Sequence, residues 1–389
     1  METHPDGYTI EHVVVPFDSY QTALNNAIQS KSEDAPDIFA GEAGFFKQYI
    51  DSNLCIPLSE VGITEADTDA SGIYKYMLEL GTDADGELKG LGFQTVAGVC
   101  YYRTSYAKQY LGVETPEEFK ELIKDWDEFL VTAKTLFDAS NGFVRMVGGM
   151  GDITAPFRIG QRTMNYVEDD RLNVEPFVEE YMEYTKTLIN SDLTCDNSAR
   201  QSGSWYAEAN DAIEEYSFLC TFGAPWLLAY VLQPNIGDEP GESTYGDWSI
   251  CESPYSFFNG GTWFMISSSS KNKEAAAEYL RYLTLDTSTE GNLYWWLTEK
   301  GDATSSQIVN EMIVDGYANG FVGGQNSLLY FMNAAEAYDQ IPCYSNYDAT
   351  IEGIMDDEAL AYTEGKVTLE EAMENYINRV ADELGVFVD

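Results

Sequence analysis

The sequence predicts an α/β protein with a largely parallel sheet, divided between two domains. Three observations carry this expectation. At 389 residues the chain is long for one ordinary core and short for four. Near its start, strand and helix patterns alternate. The buried run Pro36-Asp37-Ile38-Phe39-Ala40 ends at Gly41-Glu42 and gives way to a helix with Phe45, Phe46, Tyr49 and Ile50 turned inward. Further on, helices open with explicit start signals. Thr115-Pro116-Glu117-Glu118 combines an N-cap, a proline at the first helical position and a capping glutamate, and residues 125–128 repeat the device.

Taken in order, His4-Pro5-Asp6-Gly7 reads as a turn, and 8–15 as a strand that Pro16 ends. Asp18 with Gln21 forms a capping box for a helix whose apolar face is Tyr20, Ala23, Leu24, Ala27 and Ile28. After 36–50 come an acidic loop over 64–72, the turn Asp83-Ala84-Asp85-Gly86, and two apolar stretches within 89–102. Trp126, Phe129, Leu130, Ala133 and Phe137 share one helical face, which makes Trp126 a core residue. Amphipathic helices over 175–190 and 205–216 precede a short strand, 218–222. Gly223 and Pro225 halt that strand, so Trp226 emerges at its C-terminal end, where open α/β sheets bind ligands. Residues 230–250, rich in glycine, proline and acid, read as a surface loop. Asn272 caps a helix bearing Ala276, Tyr279, Leu280 and Leu283, and 353–384 closes the chain as a long acidic helical region.

Composition excludes several classes of function. A formal charge of -45, from 66 acidic and 21 basic residues, repels phosphates and anionic lipid, so no nucleic acid or membrane-surface partner is expected. A calcium loop begins at Asp67-Thr68-Asp69-Ala70-Ser71-Gly72 but places Leu78 where a bidentate glutamate is required, and it is rejected as a metal site. Two histidines, His4 and His12, leave no material for a histidine triad or an ordinary zinc site. The six cysteines are dispersed without a C-x-x-C motif. Most read as buried small hydrophobes, with a Cys195 to Cys251 bridge left open. No run reaches the roughly 18 apolar residues of a membrane span, and 44% apolar with 14% aromatic residues is ample for packed cores.

One stretch, FNGGTWFMISSSSKNKEAAAEYLRYL at 258–283, joins a glycine pair to an apolar strand, a serine loop and a helix. Gly260-Gly261 can take backbone angles closed to other residues, which suits a crossing between two lobes. With APDIFAGEAGFFKQYIDSNLCIPLSE, DGELKGLGFQTVAGVCYYRTSYAKQYLG, TPEEFKELIKDWDEFLVTAKTL and FLCTFGAPWLLA, this stretch resembles the extracellular solute-binding proteins of carbohydrate ABC importers, the maltose-binding-protein-like family. The five pieces fall in the family's order over nearly the whole chain.

The resemblance implies a two-lobed clamshell of α/β lobes. The N-lobe is expected at 1–96 plus 263–303 and the C-lobe at 97–262 plus 304–389, with hinge crossings near 95–99, 259–263 and 303–308 and Gly260 and Gly261 as hinge residues. Family chains normally open with an export leader, often a lipidated cysteine, then a first strand and helix. The opening Met1-Glu2-Thr3-His4-Pro5-Asp6-Gly7 resembles the end of that helix, so the N-terminal strand and helix, on the order of thirty to forty residues, are expected to be missing, and the localisation is extracellular, as a cell-surface lipoprotein or periplasmic protein.

Sugars offer hydroxyls that need directional hydrogen bonds and C–H faces that lie against aromatic rings. Seven tryptophans and 27 tyrosines supply candidates. Trp226 matches the family's glycine-proline-tryptophan stacking position, with an alanine intervening, and Trp263 follows the glycine pair. The resemblance adds Glu42 after its strand, Gln94 and Thr95 before the first crossing, Asp152, Phe157 and Arg158 in the GGMGDITAPFR segment, and Tyr344 and Tyr347 as late aromatics. The function implied is capture of an oligosaccharide in the cleft between two lobes and delivery to the permease subunits of an ABC importer, by a monomer without catalysis, cofactor or metal. Two alternatives stand beside it. One is a glycoside hydrolase using a carboxylate pair, although 66 acids single out no pair. The other is a binder of polyamines or peptides on the same scaffold.

Overall fold

The computed structural model describes residues 2–3, 9–30, 35–195, 199–237, 239–338 and 342–388. The expected turn at 4–7, with His4, and the first residue of the expected 8–15 strand lie outside them. The chain groups into two compact units. The first comprises Met1–Gln94, Gly261–Trp296 and Thr304–Val309; the second comprises Thr95–Gly260, Leu297–Ala303 and Asn310–Asp389. Backbone bonds account for the grouping at 303–305. Thr95 N–H donates to the Ala303 carbonyl, and Ser305 N–H to the Phe93 carbonyl, both at 3.0 Å.

The first unit is built on a three-stranded sheet in which Thr262–Ile266 lies between Ile38–Glu42 and Gly90–Gly92. Both pairings are antiparallel, with Trp263 opposite Gly41 on one side and Gly92 on the other. The sheet of the second unit sets Val99–Arg103 between Cys220–Gly223 and Trp248–Cys251, again antiparallel throughout. A parallel pair occurs between Val144–Arg145 and Ser217–Phe218. The expectation of a largely parallel sheet is therefore corrected. Alternation along the chain reports that strands and helices follow one another, not which strands pair. Here the partners come from segments far apart in sequence that enter in opposite directions.

Helix starts follow their caps. Thr115 Oγ1 accepts from Glu118 N–H at 3.2 Å and Asp125 Oδ1 from Glu128 N–H at 2.8 Å, opening Pro116–Leu122 and Trp126–Ala139. Other elements differ from expectation. Strand pairing within 9–15 is confined to Thr9–Ile10, and the next helix begins at Phe17, which puts Asp18 inside its first turn. The acidic 64–72 segment, expected as a loop, is a helix, Glu65–Ser71, because Asp67 Oδ2 accepts from both N–H and Oγ1–H of Thr64 and closes a capping box. Asp67 also receives Arg281 Nη1 at 2.8 Å, and that bond, with those from Thr64, holds its carboxyl down at about 2. The 205–216 helix is shorter, Gly203–Ala209. Within the expected 230–250 loop lie the end of a π-helical turn, Leu227–Leu232, the short helix Gln233–Ile236 and the strand Trp248–Cys251. Asn272 sits at the head of Lys273–Thr284 without a side-chain cap bond; its amide donates instead to Asp37. The closing region is two helices, Asp348–Thr363 and Leu369–Leu384, parted at Gly365 with φ +73°.

The core of the second unit gathers Trp126, Phe129, Phe157, Tyr181 and Phe222 with the buried faces of the closing helices. Cys195 and Cys251 are not joined. Cys195 Sγ lies 3.5 Å from the Ser217 carbonyl, and Cys251 pairs in register with Cys100 on the sheet.

An ion network, buried at Arg158, Arg162 and Asp348 and open to solvent at Asp356, ties the first of the closing helices to this core. Asp348, Glu352 and Asp356 recur every four residues and so share one face of the Asp348–Thr363 helix. Arg162 pairs with Asp348, both 1% exposed at the side chain, and Arg158 pairs with Asp356 and, at 3.7 Å, with Glu352. The guanidiniums lie over the rings of Tyr166 and Tyr181, at 3.9 and 4.2 Å from the centroids. Burial alone would push both arginine pKa values down; the facing carboxylates and tyrosines win and hold them up.

Candidate functional site

In the second unit the strand Cys220–Gly223 stops at Gly223-Ala224-Pro225, and Trp226 follows with its side chain half-buried. The indole Nε1–H donates to the Asn259 carbonyl at 2.7 Å, so the polar end of the ring holds the chain just before the glycine pair. Gly260 has φ +69° and Gly261 φ +113°, conformations that favour glycine, and a Cβ on Gly260 would come within 2.9 Å of that same Nε1. Gly260→Ala is expected to displace Trp226 and strain the backbone, lowering stability by about 1–3 kcal/mol. Thermal melts of the variant beside ligand titrations check both effects together.

Arg200 joins this cluster. Its Cζ lies 5.6 Å from the centre of the Trp226 ring, and Nη1 donates to Asn259 Oδ1 at 3.5 Å. Glycine at 223 is what admits it, since a Cβ there would stand 2.6 Å from Nη2. Asp152 lies beneath, 1% exposed. Its oxygens accept from Trp205 Nε1 at 3.0 Å, Thr221 Oγ1 at 2.7 Å and Gly149 N–H at 3.0 Å. Burial pushes its carboxyl up, against the pull of the Arg200 charge and these donors.

The structure therefore brings Trp226 and Asp152, both expected to bind ligand, and the expected hinge residue Gly260 together around Arg200. Gly261 belongs to the first unit, where its carbonyl accepts from Ala43 N–H at 3.0 Å, next to Glu42. Glu42 ends the strand Ile38–Glu42, half-buried, with Oε2 accepting from Gly44 N–H at 2.8 Å. Burial raises its pKa more than that bond lowers it. A carboxyl raised in the folded state contributes stability below its unfolded pKa and loses that contribution as pH rises through the folded value. Glu42→Gln is accordingly expected to raise the melting temperature at pH 7.5 and to give no gain at pH 4, as thermal melts at the two pH values would record.

Trp263, Phe157 and Arg158 have structural roles instead. Trp263 is a core residue: it is fully buried, stacked on Phe46 at 4.3 Å between ring centres, with Nε1–H donating to the Met77 carbonyl at 3.2 Å. With the side chain fully buried and one ring face on Phe46, it presents no surface to a ligand. Phe157 is also core, 1% exposed and stacked on Trp126 at 4.8 Å. Arg158 is committed to the ion network described above. Gln94 and Thr95 are buried, at 7% and 0% exposure. Tyr344 is half-buried and meets Phe258 edge-on at 5.5 Å, and Tyr347, half-buried, packs against the core ahead of the Asp348–Thr363 helix. Sequence reasoning missed Arg200, because no spacing links a turn residue at 200 to an indole at 226. Among the described residues, no group of three His, Cys, Asp or Glu side chains could hold a metal ion, and no helix is long and apolar enough to cross a membrane.

The fold matches that of ABC-importer solute-binding proteins. A solved structure described as an extracellular solute-binding protein of family 1 overlays with a TM-score of 0.82 at 18% identity, covering 97% of this chain and 93% of that one. The galacto-N-biose-/lacto-N-biose I-binding protein of the ABC transporter from Bifidobacterium longum, in complex with lacto-N-biose, gives 0.71 at 16% identity over 97% and 89% of the two chains. An ABC transporter solute-binding protein from Thermotoga lettingae bound with α-D-tagatose gives 0.68 at 18% identity over 94% and 89%. Residues 1–305 match the family model of bacterial extracellular solute-binding proteins, and the chain belongs to that family of binding proteins. The resemblance read from the sequence is thereby borne out. No curated protein sequence matches the chain.

Proposed function

We propose that the protein captures an oligosaccharide outside the cell and delivers it, chemically unchanged, to the membrane permease of an ABC importer. The observation that carries this reading is Trp226, whose polar end is spent on the Asn259 carbonyl while its ring stays partly exposed beside Arg200. A ring fixed in that way offers a flat apolar plate for the C–H face of a sugar, with donors alongside for hydroxyls. The solved relatives carrying lacto-N-biose and tagatose support the choice of carbohydrate. The crossings near 95–99, 259–263 and 303–308, with Gly260 and Gly261, serve as hinges, Asp152 holds Trp205 and Thr221 in place behind the Trp226 and Arg200 pair, and the protein acts as a monomer at the cell surface or in the periplasm.

A thermal-shift screen over oligosaccharides tests the reading, since a ligand bound only by the folded form raises the melting temperature. Calorimetry on the hits should then show micromolar or tighter binding, with the sugar recovered intact by chromatography. Shorter products would replace the reading with hydrolysis, and stabilisation by putrescine alone would replace it with a polyamine binder.

A further inference from the structure

Arg200 stands beside Trp226 with two of its three nitrogens, Nε and Nη2, closed off from solvent and without a hydrogen-bond partner among the described residues. Nη1 reaches Asn259 Oδ1, at 3.5 Å. Nε and Nη2 lie on one edge of the planar guanidinium, the edge that offers two parallel N–H bonds to the two oxygens of a carboxylate. The neighbouring groups are otherwise engaged. Asp152 directs its oxygens to Trp205, Thr221 and Gly149, and the Tyr101 hydroxyl donates its proton to the Ala224 carbonyl at 3.0 Å. Idle buried donors are costly, and most so on a charged group. In a chain of formal charge -45, which repels anions at long range, an acidic ligand requires a desolvated cation of this kind in the site itself.

We infer that the free edge of Arg200 receives a carboxylate carried by the sugar, so that the ligand is an acidic oligosaccharide containing uronic acid, with a ring against Trp226. This assignment rests on the oligosaccharide reading above and narrows it. A neutral sugar supplies single hydroxyl oxygens, which fill the two N–H positions less well than one carboxylate.

Calorimetry with matched pairs tests the assignment: trigalacturonate against its methyl ester, and glucuronosyl-xylotetraose against xylotetraose, on the unaltered protein, Arg200→Lys and Arg200→Gln. The unaltered protein is expected to prefer the acid of at least one pair by about tenfold or more. Arg200→Lys, which keeps the charge and loses the two-pronged edge, should lose much of that preference, and Arg200→Gln all of it. A neutral form bound as tightly as its acid overturns the carboxylate assignment and leaves the oligosaccharide reading standing. Binding of no carbohydrate, acidic or neutral, overturns both. Because the acid and ester comparison uses the unaltered protein, it decides the matter even if Arg200→Gln fails to fold.

Discussion

Trp226→Ala is expected to weaken oligosaccharide binding by about 2–4 kcal/mol, roughly thirtyfold to a thousandfold, as for a tryptophan anchor at the centre of a binding site. Two losses combine in that figure. The plate on which the sugar lies disappears, and the Asn259 carbonyl loses its donor, so the chain before Gly260 is no longer held. Trp226→Phe separates them, because it retains a ring while removing the N–H, and should fall between the parent and the alanine variant. Isothermal calorimetry on the three proteins measures the series. Unchanged affinity in Trp226→Ala would remove this residue from the site and with it the observation on which the proposed function stands.

The second large effect concerns stability. Asp348→Ala should destabilise the second unit by about 3–5 kcal/mol, because it leaves Arg162 charged in a buried position with Glu352 at 3.9 Å as its nearest remaining acid. Asp348 also accepts from Ser345 N–H at 3.0 Å and Ser345 Oγ–H at 2.7 Å, so the start of the Asp348–Thr363 helix loses its tether as well. At roughly 2–4 °C per kcal/mol for a body of this size, the melting temperature should fall by about 10 °C. Replacing both partners, Arg162→Met with Asp348→Leu, should recover most of the loss, since a buried pair owes much of its apparent value to the charge left behind when one member is removed. Chemical denaturation of the single and double variants distinguishes the two results. A single variant as stable as the parent would show that the pair carries no weight.

Neither prediction could have been drawn from sequence alone to the same degree. Trp226 was legible, because a glycine and a proline ending an apolar strand place the next residue at a strand's C-terminal end. Its neighbour Arg200 was not, since the 25 residues between them carry no pattern that brings the two side chains together. The ion network was half legible: the spacing of Asp348, Glu352 and Asp356 puts three acids on one helical face, yet nothing in it indicates that the face is buried against two arginines. Trp263 and Phe157 show the converse. Their apolar neighbours in sequence fit a strand and a helix, but whether an aromatic in such an element looks inward or toward a ligand depends on what packs above it.

What the sequence determined by itself is local. Thr115 with Glu118 and Asp125 with Glu128 start their helices because a side-chain oxygen three residues away meets an otherwise unpaired backbone N–H, and Gly260-Gly261 permits a left-handed turn because it lacks Cβ. Order along the chain was likewise enough to recognise the family. Tertiary structure decided the antiparallel pairing of Thr262–Ile266 with Ile38–Glu42, the burial of Trp263 against Phe46, and the placing of Arg200 beside Trp226. Those contacts join residues whose separation in sequence is large, so their free energy depends on the whole chain closing at once, and no short window of residues encodes it.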